Sequence, residues 1–180
     1  MHKQNLSQKI KYVSICGIGI ALFVVLSLCL QVPVFENYYL CLGYIAMAVY
    51  CYSIGTISGT LISTLGVVLY CFLINGLRGM PGWAIGNIAI GLIAGSAFRW
   101  SRQFENKWLK RVICLVAVII GTAIGILGIK SGVESILYAQ PIIVRIAKNV
   151  YAFVADIVVL MVSMPLCEIL DPHIQKILKR

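Results

Sequence analysis

The chain has 180 residues, of which 61% are hydrophobic and only 12% are charged, with a formal net charge of +9. A soluble domain is about 45–50% apolar and about 25% charged, so the composition predicts a membrane protein and leaves no room for a second, soluble domain. The basic residues lie in short segments between apolar runs, which is typical of membrane topology signals and argues against a nucleic-acid-binding face.

The N-terminal third begins with a basic segment, Met1–Lys11, which we expect to be cytoplasmic. The apolar run 12–32 follows it, and we interpret this run as an uncleaved first span rather than a signal peptide. Gly17 and Ala21 are four residues apart in this run, so they predict a smooth helix face against which another helix could pack closely.

A short loop, residues 33–39, carries Glu36 and Asn37 between aromatic residues. It is either an interfacial aromatic belt or part of a lid over a ligand. Two predicted spans follow, Leu40–Ile54 and Ile57–Leu73, and small residues in both indicate close helix packing.

The stretch Asn75–Gly95 is polar and turn-forming at its start and then becomes an apolar fourth span. Arg78 lies in its glycine-rich loop, and Trp83 and Asn87 lie one helical turn apart on the span. Polar groups at membrane depth cost free energy and usually have a function. We therefore interpret this stretch as the rim and upper wall of a binding site, although Arg78 could equally be a solvated loop cation.

The last third holds the most charged segment, Arg99–Arg111, and then a fifth span over 112–129. We expect a long outer connection over 130–147, a sixth span over 146–170 and a basic cytoplasmic tail over 171–180. The membrane domain would thus cover residues 12–170.

The charge distribution predicts the orientation of this all-α bundle of six transmembrane helices. With both termini cytoplasmic, eleven of the fifteen Lys and Arg residues lie on the inner side. The same arrangement places Arg78, Trp83 and Arg145 on the extracellular side.

Arg145, just before the sixth span, and Asn149 and Asp156 within it lie at spacings that place all three on one helix face. Arg145 and Lys148 could instead simply extend to the outer membrane interface. Asp156 either makes a structural hydrogen bond to a neighbouring helix or lies at the inner end of a pocket. A site with cations, amides and aromatic rings suits a flat or polar small molecule, or an anionic one.

Catalytic and metal-binding patterns are not found in the sequence. It has no Ser-His-Asp set, no HExxH motif and no Walker A motif, so we expect neither an enzyme nor an ATP site. Its seven cysteines form no CxxC pair, which predicts small buried hydrophobic residues rather than metal ligands or disulfides.

The order of these features over residues 12–170 resembles the substrate-binding S component of an energy-coupling factor (ECF) vitamin transporter. The resemblance rests on a small-residue first span, glycine-rich second and third spans, the Asn/Gly/Trp entry to the fourth span, a basic fourth loop and the start of the sixth span. The corresponding segments read GIGIALFVVL, LGYIAMAVYCYSIGTISGTLISTLGVVL and RIAKNVYAFVADIVVLMVSMPL.

The resemblance implies a prokaryotic cell-membrane protein that binds a vitamin or related micronutrient from outside and has no cofactor of its own. Its partners would be the lipid bilayer, a transmembrane coupling subunit that docks on Gly17 and Ala21, and two cytosolic ATPases that supply the energy. By position, the ligand-binding residues would be Asn37, Trp83, Asn87, Tyr138, Arg145 and Asn149.

The substrate remains open at this stage between two classes of vitamin. A riboflavin-like flat ring would use Trp83 and the tyrosines, whereas a pantothenate-like acid would use Arg78 or Arg145. We favour the riboflavin type.

Two other functions remain open from the sequence. One is a stand-alone secondary transporter or channel that uses Asp156, and the other is a membrane-assembly protein that binds no ligand.

Overall fold

The computed structural model describes residues 2–29, 33–35, 38–74 and 80–179, and this part of the chain is helical apart from one small hairpin and short connections. The predicted all-α class is confirmed. The helices are α1 (His2–Cys29), α2 (Gly43–Ser53), α3 (Thr56–Ile74), α4 (Met80–Ser101), α5 (Lys107–Thr122), α6 (Ser131–Tyr138) and α7 (Ile142–Lys179), with a π-helical segment (Ala123–Lys130) between α5 and α6. In the hairpin, β1 (Pro33–Phe35) pairs antiparallel with β2 (Tyr38–Tyr39).

Five helices in the described part of the chain are long and apolar enough to cross a membrane: Lys9–Cys29, Thr56–Ile74, Pro81–Ser101, Lys107–Tyr138 and Ile142–Leu178. The helix within the predicted second span is different, because α2 has only 11 residues. At 1.5 Å per residue it is about 16 Å long, whereas a bilayer core is about 30 Å thick. Most of its residues are buried, so α2 is an internal helix of the bundle.

The long outer connection expected at 130–147 is mostly helical in the structure. The fifth helix continues through the π-helical segment and α6 to Tyr138, and a turn at Ala139, which has a left-handed backbone, leads into α7. Its polar residues predicted a loop, but Ser131 and Glu134 are buried and bonded to neighbours, so the helix continues through them.

Helix α4 lies at the centre of the bundle and packs closely through its glycines. Gly86 lies against the backbone of Gly125 in the π-helical segment, and a β-carbon at Gly125 would lie 2.6 Å from the carbonyl oxygen of Gly86. On another face of α4, Gly91 packs on Thr60 of α3. The small residues therefore let the backbone of α4 come into direct contact with the π-helical segment on one side and with α3 on the other.

Both terminal helices meet at one end of the bundle, which we call the terminal end. There, Lys11 Nζ donates to the carbonyl oxygens of Ile177 and Leu178 at 3.1 and 2.9 Å.

Side chains from three helices also converge at the terminal end on the last two residues of α2, Tyr52 and Ser53. Arg99 of α4 donates to the Tyr52 oxygen at 3.3 Å, and Gln175 of α7 donates to the Ser53 oxygen at 2.7 Å. Lys110 of α5 donates to the Tyr52 hydroxyl at 2.9 Å.

Two ion pairs accompany these hydrogen bonds, Arg102–Asp171 at 2.8 Å and Lys110–Glu168 at 2.7 Å. Glu168 and Asp171 lie between the two prolines that α7 contains, so the ion pairs hold this part of α7 against the bundle.

Candidate ligand-binding site

Three side chains from two helices form a hydrogen-bonded chain in the half of the bundle opposite the terminal end. Trp83 Nε1 donates to the Tyr44 hydroxyl at 3.1 Å, and this hydroxyl donates to Asn87 Oδ1 at 2.6 Å. Asn87 Nδ2 donates to the Ser63 carbonyl oxygen at 3.2 Å. Tyr44 and Asn87 are fully buried, whereas Trp83 is partly exposed. Asn87 is thus bonded at both ends of its amide and braces Trp83 through Tyr44.

Asp156 lies beside this chain of side chains and is also buried, at 3% exposure. It lies within electrostatic reach of the Tyr44 hydroxyl and of Lys130. A buried carboxyl in a helical bundle normally has such partners. Asp156 therefore lies close to Tyr44, the residue that joins Trp83 to Asn87.

A second cluster surrounds Glu134 of α6, whose side chain is 8% exposed. Glu134 Oε1 is 4.0 Å from Lys130 Nζ, and Oε2 is 3.8 Å from an Arg145 guanidinium nitrogen. Asn149 Nδ2 donates to Glu134 Oε2 at 3.1 Å and to Ser131 Oγ at 3.0 Å. The Arg145 guanidinium also lies over the Tyr138 ring, 4.3 Å from its centroid.

Two buried polar atoms of this cluster have no hydrogen-bond partner in the described part of the chain, Asn149 Oδ1 and Arg145 Nε. One is an acceptor and the other is a donor. An unsatisfied buried polar group costs roughly 1–3 kcal/mol, and most such groups in proteins have a partner. Their pairing by a bound molecule would remove this cost.

Lys130 connects the two clusters. Its ammonium group lies 5.9 Å from the centroid of the Trp83 ring as well as 4.0 Å from Glu134. Trp83 in turn meets Tyr70 edge to face at 5.7 Å. The arrangement combines aromatic surface, compensated charges, an acceptor and a donor, which is the composition of a small-molecule site.

The sequence-predicted site residues fall into three groups. Trp83 and Asn87 belong to the first cluster, Tyr138, Arg145 and Asn149 to the second, and Asp156 lies close to Tyr44 of the first. Asn37 and Arg78 lie outside the described residues.

Sequence reasoning missed four residues that build the site: Tyr44, Lys130, Ser131 and Glu134. The i, i+4 spacing of Lys130 and Glu134 is a helical signal that could have revealed two of them.

The predicted docking residues, Gly17 and Ala21, lie exposed on α1. A β-carbon at Gly17 would have no neighbour within 4 Å, whereas one at Gly19 would lie 2.5 Å from Ile62. Helix α1 therefore packs inward through Gly19 and leaves the face with Gly17 and Ala21 uncovered.

No cluster of His, Cys, Asp or Glu that could hold a metal ion occurs among the described residues. All seven cysteines are free thiols, and five of them are buried.

The comparisons with known proteins give one result. A protein-family model described as ECF-type riboflavin transporter, S component, matches residues 7–171. No curated protein and no solved structure matches the chain. The family is one of membrane transport components, and the long apolar helices agree with a multi-pass membrane protein. Because the family model matches nearly the whole length, the chain belongs to the family of ECF-type riboflavin transporter S components.

Proposed function

We propose that this protein is the high-affinity substrate-binding subunit of an ECF-type importer for a flat heteroaromatic vitamin of the riboflavin type. The family match across residues 7–171 carries the proposal. The bound vitamin would lie against Trp83 and Tyr138, and its polar edge would pair with Asn149 Oδ1 and Arg145 Nε, the two buried atoms without partners. Energy would come from partner ATPases.

The charges of the site favour a neutral, flat ligand over a pantothenate-like acid. Lys130 and Arg145 both already face the carboxylate of Glu134. The carboxylate of an acidic ligand would have to compete with Glu134 for these cations, and the two anions would repel each other. A flavin ring needs only hydrogen bonds and aromatic contact.

The proposed topology has six crossings with both termini in the cytoplasm of a prokaryotic cell. Contact between Lys11 and the end of α7 supports an even number of crossings. Five helices are long enough to cross, and α2 with its flanking residues would complete the sixth crossing inside the bundle. The terminal end, which holds most of the basic residues, would be the cytoplasmic one.

The decisive experiment for the substrate is a binding measurement with purified protein in detergent. We expect quenching of riboflavin fluorescence with sub-micromolar affinity, no competition by pantothenate, and flavin detected by mass spectrometry in the purified sample. Absence of riboflavin binding would refute the proposed substrate.

Asp156 is the observation that favours the alternative, a stand-alone secondary transporter. That alternative predicts riboflavin uptake into proteoliposomes that contain this chain alone, and loss of this uptake in Asp156→Asn. The proposed function predicts uptake only when the coupling subunit and ATPases are present.

Replacing Gly17 with leucine should separate binding from transport. Overpacking of a close helix contact costs about 1–3 kcal/mol, which corresponds to a roughly 5- to 150-fold weaker assembly with the coupling subunit. Riboflavin affinity should not change, because a β-carbon at Gly17 would have no neighbour within 4 Å in the bundle.

The measurements for this variant are co-purification of the coupling subunit and ATP-dependent uptake in proteoliposomes. The matched control is Ala147→Leu, a similar enlargement at an exposed position of α7. Normal assembly of Gly17→Leu would show that this face of α1 is not the docking surface.

A further inference from the structure

The π-helical segment determines what Ser131 can offer to its neighbours. A π-helix shifts the hydrogen-bond register to residues five apart, and the Ser131 hydroxyl donates to the carbonyl oxygen of Ile126, five residues earlier, at 3.0 Å. A serine hydroxyl has a single hydrogen. Towards Asn149, therefore, Ser131 Oγ can only accept.

Glu134 offers the second acceptor to the same amide. Its carboxylate forms ion pairs with Lys130 and Arg145, at 4.0 and 3.8 Å. An ionised carboxylate accepts hydrogen bonds and donates none.

The two acceptors together fix the orientation of the Asn149 side chain, which is fully buried. Both hydrogens of Nδ2 are used, one on Ser131 Oγ and one on Glu134 Oε2. If the amide were rotated by half a turn, its oxygen would face two acceptors and both bonds would become repulsive. The amide oxygen is therefore held on the other side, where it has no partner.

We propose that Ser131 and Glu134 are positioning residues that present the Asn149 oxygen as a fixed acceptor to the ligand. The site then selects a ligand with an N–H or O–H group at this point, and the vitamin's own carbonyl groups are rejected there. The inference rests on the proposed function, since it assigns these residues to the same ligand site.

The first test needs no ligand and observes the Asn149 side-chain amide by NMR in protein labelled with 15N-asparagine. Its signal is assigned by its loss in Asn149→Leu. We expect slow hydrogen exchange for Asn149, in contrast to the exposed Asn106, and a shifted, faster-exchanging signal in Ser131→Ala and in Glu134→Gln. The matched controls, Ser163→Ala and Glu168→Gln, remove a buried serine and an ion-paired glutamate elsewhere and should leave the signal unchanged.

The second test is a double-mutant cycle on riboflavin affinity. In Glu134→Gln the new amide can donate as well as accept, so Asn149 can turn, and we expect about tenfold weaker binding, the equivalent of one hydrogen bond. The same change in the Asn149→Leu background should have no further effect, because the side chain that Glu134 positions is absent.

The outcomes separate the inference from the proposed function. An Asn149 amide that exchanges as fast as Asn106, or a signal unchanged by Glu134→Gln, overturns the inference whether or not riboflavin binds. An equal loss of affinity in both backgrounds also overturns it, because Glu134 would then act independently of Asn149. Slow exchange together with no riboflavin binding would retain the inference and reject the proposed substrate.

Discussion

Replacing Asn149 with leucine is expected to weaken riboflavin binding by roughly a hundredfold, because the ligand group that faces Asn149 loses its partner in a buried site. Leucine fills a similar volume but can neither accept nor donate. The ligand would leave its hydrogen bonds with water on entering the site and regain none here. The dissociation constant from quenching of riboflavin fluorescence measures the effect.

The control for this variant is Thr122→Val, which also replaces a fully buried polar side chain with an apolar one of similar shape. The Thr122 hydroxyl donates to the Val118 carbonyl oxygen of its own helix at 2.6 Å, so its removal should not alter affinity. Both variants should have similar melting temperatures. Equal riboflavin affinity of the Asn149→Leu variant and the wild type would remove Asn149 from the site.

Gly86→Ala should destabilise the fold more than any other single-methyl change discussed here. The added methyl group would meet the carbonyl oxygen of Gly125 in the facing backbone, which cannot turn aside as a side chain can. Overpacking typically costs about 1–3 kcal/mol, and we expect about 3 kcal/mol because backbone must move. The free energy of unfolding in mixed detergent, or the melting temperature, measures it.

Gly132→Ala is the matched control, since a β-carbon at Gly132 in α6 would have no neighbour within 4 Å. There, alanine should stabilise the helix by up to about 1 kcal/mol through its higher helix propensity. If the Gly86→Ala variant melted at or above the wild-type temperature, the backbones of α4 and the π-helical segment would not be in direct contact.

Helical periodicity made part of the site predictable from the sequence. The offsets between Arg145, Asn149 and Asp156 predicted one shared face of α7, and the structure places Asn149 and Asp156 buried and Arg145 mostly buried on it. The spacing of Trp83 and Asn87 likewise predicted neighbours on α4. These are contacts within one helix, where residue spacing determines direction.

Contacts between helices were not predictable in this way. Tyr44 joins Trp83 to Asn87 from 39 and 43 positions away, and its own surroundings in the sequence contain no signal for that role. The charges of Lys130 and Glu134 indicated a solvated loop when each was considered alone. Mutual pairing lets them lie within helices, and such pairing depends on the fold.

The hydrogen bonds at the terminal end distribute stiffness unevenly along the bundle. Arg99, Lys110 and Gln175 tie α4, α5 and α7 to the last turn of the short helix α2. A displacement of α2 at this end would therefore also displace α4, α5 and α7, so that the four helices move together. On the proposed function, the opening that admits a ligand would then lie at the far end, where the helices are joined through the side chains of the candidate site.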